Sequence, residues 1–303
     1  MKREKIVIGS RGSKLALIYA ERVRKKISEK YTNTIDIKKI VTSGDKNQKD
    51  RLSEIGGKGL FSKAIEIELL ENKIDLAVHA LKDMPSIETE GLITNCFLKR
   101  NFPNEILISN NNVTFNNLSP KSIVGTSSFR REFQLKQKRN DLIYKLIRGN
   151  VDTRIQKLKD GLYDAIILSK AGIDSLKLNE HITEEFSAEE IIPCAGQGVI
   201  AIQCRENDKE MIEFLKTIDH NETHIRVTAE REVLKTLEGD CETAIGAISF
   251  INNNKITLVA ELFSIDGKER YFLKESKELN FAKELGMGVG EILKNKSKGT
   301  YKR

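Results

Sequence analysis

Tryptophan is absent from this 303-residue chain, and aromatic residues make up only 6% of it. Proteins that hold single-stranded nucleic acid stack bases on aromatic rings, so this composition argues against that class. Cysteine is also scarce. Cys96, Cys194, Cys204 and Cys241 are widely scattered and fit no zinc spacing. The pattern suits a reducing compartment, and a cytoplasmic location is expected. Long apolar runs are missing, and none approaches the length of a membrane span. Met1-Lys2-Arg3-Glu4-Lys5 leads directly into the strand-like Ile6 to Ile8, with no apolar signal segment. There is no Walker A motif, no GxGxxG after a strand, no solenoid period and no low-complexity segment. No exposed apolar stripe stands out, so a monomer is expected.

What remains is enough for real cores. Hydrophobic residues make up 39%, and the length suggests two or three domains. The net charge of +7 favours an anionic partner. Lysine runs such as Arg24-Lys25-Lys26 are most simply solvated faces. The arginines in small-residue turns are different. Gly125-Thr126-Ser127-Ser128-Phe129-Arg130-Arg131 follows an apolar pair, Ile123-Val124, and opens a helical pattern. Free backbone N–H groups at such a helix start favour an anion, and hydroxyls and guanidinium groups add donors. Ile8-Gly9-Ser10-Arg11-Gly12-Ser13 is a second such turn. Leu146-Ile147-Arg148-Gly149-Asn150-Val151-Asp152-Thr153-Arg154 is a third. Three Arg-bearing turns predict a cleft for a ligand with several negative groups.

Periodicity orders the rest. Strands are predicted at residues 6–8, 35–41, 75–81, 106–109, 123–124, 143–147, 163–168 and 199–203. Helices are predicted from Ser13, after Phe61 with Ile65, Leu69 and Leu70 on the apolar face, at 131–139, and at 151–159. The polar stretch from Thr42 to Arg51 reads as a surface loop. Residues 97–105 and 191–198 break both periods and read as crossings between two lobes. Strand–helix alternation argues for open α/β sheets with the ligand at the carboxyl ends of the strands. A helix over 222–237, strands over 245–251, 256–263 and 269–274, and a helix over 281–293 predict a small α+β domain. The expected division is 1–98 with 199–217, then 104–193, then 221–303.

In this order, several segments closely resemble the porphobilinogen deaminase (hydroxymethylbilane synthase) family. They are Arg11-Gly12-Ser13-Lys14-Leu15-Ala16-Leu17, Gly56-Gly57-Lys58-Gly59-Leu60-Phe61, Val78-His79-Ala80-Leu81-Lys82-Asp83-Met84-Pro85, the two later Arg-bearing turns, Gly196-Gln197-Gly198 and the Cys241 loop. Any one motif is weak evidence, but the ordered set is highly specific. The resemblance implies two lobes like type II periplasmic binding proteins and a small C-terminal α+β domain. It implies stepwise condensation of four porphobilinogen molecules into hydroxymethylbilane with release of ammonia, the growing oligopyrrole chain remaining bound. It also implies a dipyrromethane cofactor joined by a thioether to Cys241. The product would pass to uroporphyrinogen III synthase. Neither nucleic acid nor membrane is an expected partner. The other readings are a non-catalytic anion- or solute-binding protein of the same lobe fold, and a nucleic-acid binder.

The resemblance also assigns roles. A soft thiol suits capture of an electrophilic pyrrole methylene carbon, which fits Cys241. Asp83 is the acid–base candidate; as a turn aspartate before Pro85 it would otherwise read as structural. Lys82 would bind a substrate carboxylate or tune Asp83. Arg11, Arg130, Arg131, Arg148 and Arg154 become carboxylate forks, with Arg154 partly structural. Ser13, Thr126, Ser127 and Ser128 are hydrogen-bond donors or helix caps. Gly149 and Asn150 complete the third turn. Gln197 lies near the substrate side chains, or serves a hinge. Lys58 and Phe61 edge the cofactor cleft, and Phe61 could equally be core. The chain departs from the family at Ser175, where an arginine is usual, and at Asp240 and Ala244 around the cysteine. Lys170 or Lys177 is a candidate to replace the missing charge.

Overall fold

The computed structural model describes residues 3–42, 59, 61–239 and 243–302. Thirteen strands among these residues form three sheets. The first contains β1 (Lys5–Arg11), β2 (Thr34–Ile40), β3 (Leu76–Ala80), β4 (Leu92–Phe97) and β10 (Ile200–Arg205), in the order β2-β1-β3-β10-β4. The second contains β5 (Glu105–Ser109), β6 (Ile123–Gly125), β7 (Ile143–Lys145), β8 (Ala165–Ser169) and β9 (Glu184–Glu185), in the order β7-β6-β8-β5-β9.

These two sheets repeat one plan. In each, the first three strands run parallel, and the fourth pairs antiparallel with both the third and the fifth. In each, the fourth strand is the one that enters from the other lobe, β10 in the first and β5 in the second. The two-lobe α/β plan expected from the alternation is the architecture found. The repeat makes the β1 and β6 turns equivalent, and likewise the β3 and β8 turns. All four therefore open onto one cleft, as the carboxyl ends of an open sheet should.

The lobes are joined by two extended segments that bond to each other. Leu98 N donates to Ile200 O at 3.1 Å, and Asn101 N donates to Gly198 O at 2.8 Å. The approach leaves no room for side chains at Gly196 and Gly198. Both have positive φ, and a Cβ would lie 2.6 Å from Leu81 and 2.7 Å from the Asn101 carbonyl oxygen, respectively.

The third sheet is an antiparallel meander of β11 (Ile245–Asn252), β12 (Lys255–Phe263) and β13 (Arg270–Glu278). Helices Asn221–Thr236 and Ala282–Ser297 cover one face, with Val233, Leu258, Leu285 and Leu293 in its core. This is the small C-terminal α+β unit predicted. Three differences from the sequence reading stand out. β4, which has no clean period, and the helix Lys209–Lys216, which buries Met211 and Leu215 on one face and is capped by Asp208, were not expected. In helix Lys63–Leu70, Ile65 and Leu69 are buried but Leu70 is 42% exposed, because it lies about 100° around the helix from Leu69.

Candidate functional site

The first wall of the cleft comes from β1 and β3. β1 delivers Arg11, and Ser13 then caps the helix Lys14–Ser28, its hydroxyl oxygen accepting from Ala16 N at 3.3 Å. β3 ends in the 3-10 turn Leu81–Asp83, which places Asp83 beside Arg11. The Arg11 guanidinium stands 3.9 Å from the Asp83 carboxylate and 4.0 Å over the Phe61 ring centroid. Arg11, Ser13, Tyr19, Phe61, His79 and Asp83 line one shallow pocket. Burial, and then the negative charge of Asp83, push the Tyr19 phenol up. Burial pushes the His79 imidazole down to about 4, so this ring stays neutral near pH 7.

The opposite wall is the small-residue turn after β6. Thr126, nearly fully buried, accepts at its Oγ1 from Ser128 N at 3.2 Å. Ser128 in turn caps the helix Phe129–Lys138 through Arg131 N. Ser127 between them is half-buried. The two arginines that follow turn inward. Arg130 reaches Glu105 at 2.6 Å and the Ile192 carbonyl at 2.9 Å. Arg131 reaches the other Glu105 oxygen at 2.7 Å and the Ile167 carbonyl at 3.3 Å. Glu105 has no exposed surface. Burial alone would raise its pKa, but the charges of Arg131 and Arg130 override this and hold it at about 2. One carboxylate thus serves two guanidinium groups, and Arg131 Nε is buried without a hydrogen-bond partner. The node carries a net positive charge.

The third turn adds to that excess. Gly149 has φ +114°. Asn150 is the N-cap residue of helix Val151–Lys159 but makes no side-chain cap bond. Arg154 turns back so that its Nε donates to the Gly149 carbonyl at 2.8 Å. Arg148 is buried, and its carbonyl accepts from Lys157 at 3.0 Å. Burial, followed by the charges of Arg131 and Arg148, pushes the Arg154 pKa down to about 10, while Asp83 pulls the other way. Arg131, Arg148 and Arg154 therefore crowd one another at the face toward Asp83.

Lys82 and Gln197 connect the walls. Lys82 Nζ lies 3.3 Å from Ser169 Oγ at the end of β8, and 3.3 Å from Gln197 Oε1. Gln197 is fully buried in one crossing and donates through Nε2 to the Pro103 carbonyl of the other at 2.7 Å. The Cys194 thiol meets the same Gln197 oxygen at 3.6 Å. Cys96 and Cys204 are buried in the first lobe's core.

Cys241 and Lys58, with Asp240, lie outside the described residues. At the departures, Ser175 is buried and donates to the Ala171 carbonyl at 2.7 Å, with the Tyr19 hydroxyl also in contact. Lys170 does not take the place of the absent arginine. It pairs with Glu185 and lies 4.2 Å over the Phe102 ring. Lys177 has left-handed backbone after the short helix. The sequence reading missed Glu105, Tyr19 and His79. Glu105 had a usable signal, since it is a carboxylate heading the otherwise apolar buried run Ile106-Leu107-Ile108. Such a charge needs a partner.

Two family models match the chain. Residues 6–213 match the porphobilinogen deaminase dipyromethane cofactor binding domain, and residues 224–295 match the porphobilinogen deaminase C-terminal domain. The chain belongs to the porphobilinogen deaminase family. The porphobilinogen deaminase of Geobacillus sp. (strain WCH70) is 43% identical, over 95% of this chain and 93% of that one. The porphobilinogen deaminase of Staphylococcus carnosus (strain TM300) is 41% identical, over 96% and 94%. Among solved structures, a probable amino-acid ABC transporter extracellular-binding protein, ytmK from Bacillus subtilis, is similar at a TM-score of 0.44 and 14% identity, over 75% of this chain and 97% of that one. No described helix is long and apolar enough to cross a membrane.

Proposed function

We propose that the chain is a hydroxymethylbilane synthase, which condenses four porphobilinogen molecules head to tail and releases ammonia and a linear tetrapyrrole. The observation that carries this beyond family membership is the charge arrangement. Arg130 and Arg131 share Glu105 as their one buried counter-ion, the charges of Arg131 and Arg148 bear on Arg154, and Asp83 faces that cluster. A ligand bearing an acetate and a propionate on every ring supplies the missing negative charge. The buried Arg131 Nε without a hydrogen-bond partner fits the same demand.

The donor set also suits a dipyrromethane. Cys241 supplies the thiol, and Lys82, Asp83, Ser128, Arg130, Arg131 and Lys58 hold the group. When bound, it supplies the nucleophilic pyrrole carbon on which the chain grows. Arg11, Ser13, Phe61, Thr126, Ser127, Arg148, Gly149, Asn150, Arg154 and Gln197 bind the incoming substrate and the lengthening chain. For Arg130 this role runs through Glu105, because its fork is already occupied there.

Asp83 handles the proton. It keeps the substrate's amine protonated as the C–N bond breaks and ammonia leaves with the bonding pair. Its carboxylate then faces the cation left on the substrate's methylene carbon. After the new C–C bond forms, it takes the proton displaced from the attacking ring carbon. Arg11 stands beside it, its guanidinium 3.9 Å from the carboxylate. The tetrapyrrole passes to uroporphyrinogen III synthase, and the chain acts as a cytoplasmic monomer. A purely non-catalytic anion-binding role is not favoured, since the matched domain is a cofactor-binding one.

The test is direct. Intact mass should exceed the sequence mass by one dipyrromethane, Ehrlich's aldehyde should colour the protein, and Cys241→Ser should lose both signals. A protein at its bare sequence mass, inactive on porphobilinogen after reconstitution, overturns the reading.

A further inference from the structure

Asp83 sits on a turn with little structure of its own. The 3-10 segment Leu81–Asp83 has three residues, and its one internal closure is Met84 N to Leu81 O at 3.1 Å. The rest of its support comes from distant parts of the chain. Leu81 N donates to Val199 O at 3.0 Å, and the Leu81 side chain packs against the bare Gly196 backbone.

The remaining grip comes from the C-terminal unit. Arg231, on helix Asn221–Thr236, sends its two terminal nitrogens to consecutive carbonyls just past Asp83. Nη1 donates to Met84 O at 3.1 Å, and Nη2 donates to Pro85 O. One helical turn earlier, Val227 packs with Leu81 and Met84. The residue before Arg231 works on the other flank. Glu230 is fully buried, pairs with both terminal nitrogens of Arg100 at 2.7 and 2.5 Å, and accepts from Gly196 N at 2.9 Å. It also accepts from Ser249 N at 2.9 Å, which fixes the helix to β11.

Packing alone does not require a guanidinium here. Val227 already supplies the apolar contact, and a half-buried cation gives up hydration that directed acceptors must replace. What a planar fork adds is direction. It fixes two successive carbonyls in one plane, which a flexible ammonium cannot do. Those carbonyls belong to the Met84–Pro85 and Pro85–Ser86 peptide units, so the backbone is held immediately downstream of Asp83.

We propose that Arg231 is a positioning residue for Asp83: it clamps the Met84 and Pro85 carbonyls so that the carboxylate keeps its aim into the Arg11 pocket, and thereby ties the unit bearing Cys241 to the turn that moves the proton. This rests on the reading of Asp83 as the proton-handling group. The helix that carries Arg231 leads in sequence to Cys241.

The experiment uses the holoenzyme with Arg231→Met and Arg231→Lys. Arg231→Met should keep its covalent dipyrromethane by intact mass, since what Arg231 grips is the turn at Met84 and Pro85. Its kcat should fall about 10- to 100-fold, the scale of a slightly misplaced catalytic group, with KM changed by less than about threefold. Arg231→Lys should recover part of the loss. Combined with Asp83→Glu, the Arg231→Met penalty should shrink, because the carboxylate is already displaced. A kcat for Arg231→Met within about twofold of the parent overturns the proposal, and so does a penalty that multiplies in full with Asp83→Glu. If Arg231→Met does not accumulate as folded protein, Arg231→Lys decides: unchanged kcat there also overturns it. Asp83→Asn, measured alongside, separates the two ideas. Full turnover in that variant removes the Asp83 reading, whereas a dead Asp83→Asn with a normal Arg231→Met removes only this one.

Discussion

Lys82 of the first lobe meets Ser169 of the second at 3.3 Å, and the two residues occupy equivalent turns of the repeated sheet plan. The residue after Lys82 is Asp83. The proposed acid–base group therefore stands where the lobes touch, within reach of both sets of arginines.

Asp83→Asn should retain the covalent cofactor and lose nearly all turnover. An amide keeps the size of the side chain but neither protonates an amine nor accepts a proton. Single-turnover ammonia release, read together with intact mass, is the measurement. Normal release would exclude Asp83 as the acid–base.

Glu105→Gln should destabilise the second lobe strongly, by about 3–5 kcal/mol, because it leaves two buried guanidinium groups with no counter-charge. Urea unfolding would show it. The parent's own pH dependence should carry the same signature. The Glu105 pKa is depressed from 4.5 to about 2 on folding. Its contribution is therefore fully present above about pH 4.5 and is lost as the pH falls toward 2. A chain whose stability is flat across that window would show that Glu105 is not held as described.

Arg154→Gln should separate stability from binding. Arg154 is pushed toward its neutral form by burial and by Arg131 and Arg148, so removing its charge relieves that repulsion. Stability should stay within about 1 kcal/mol of the parent, or rise. KM for porphobilinogen should rise about tenfold or more as a carboxylate partner is lost. An unchanged KM would make Arg154 purely structural.

Ser175→Arg should not restore a lost contact. Ser175 is buried, with its hydroxyl on the Ala171 carbonyl and against Tyr19. An arginine there must displace Tyr19, and overpacking of this kind costs about 1–3 kcal/mol. The expected result is a lower melting temperature with no gain in kcat/KM. A gain in kcat/KM without loss of stability would mean that the pocket has room that Tyr19 does not fill.

The motifs that carried the site were legible because they are local. Ser13 and Ser128 announce helix starts by sequence alone, and both cap as expected. The alternating strands and helices gave the two-lobe plan because burial of one face imposes its period on the chain. The same logic failed at β4, where Leu-Ile-Thr-Asn-Cys-Phe mixes polar and apolar residues without a clean period.

Sequence by itself determined the residue chemistry, the type of most elements, and the family. It did not determine who pairs with whom. Arg130 and Arg131 read as two free forks, yet both close on Glu105, which lies 25 residues from Arg130. β10 inserts between β3 and β4 from the far side of the other lobe. Arg231 reaches back 147 residues to the turn that carries Asp83. The physical reason is the same in each case. Periodicity and caps are set by neighbours a few residues apart, whereas a buried charge takes its partner from whatever the packed lobes bring within about 3 Å. Only the tertiary structure shows which arginine charge Glu105 has already answered.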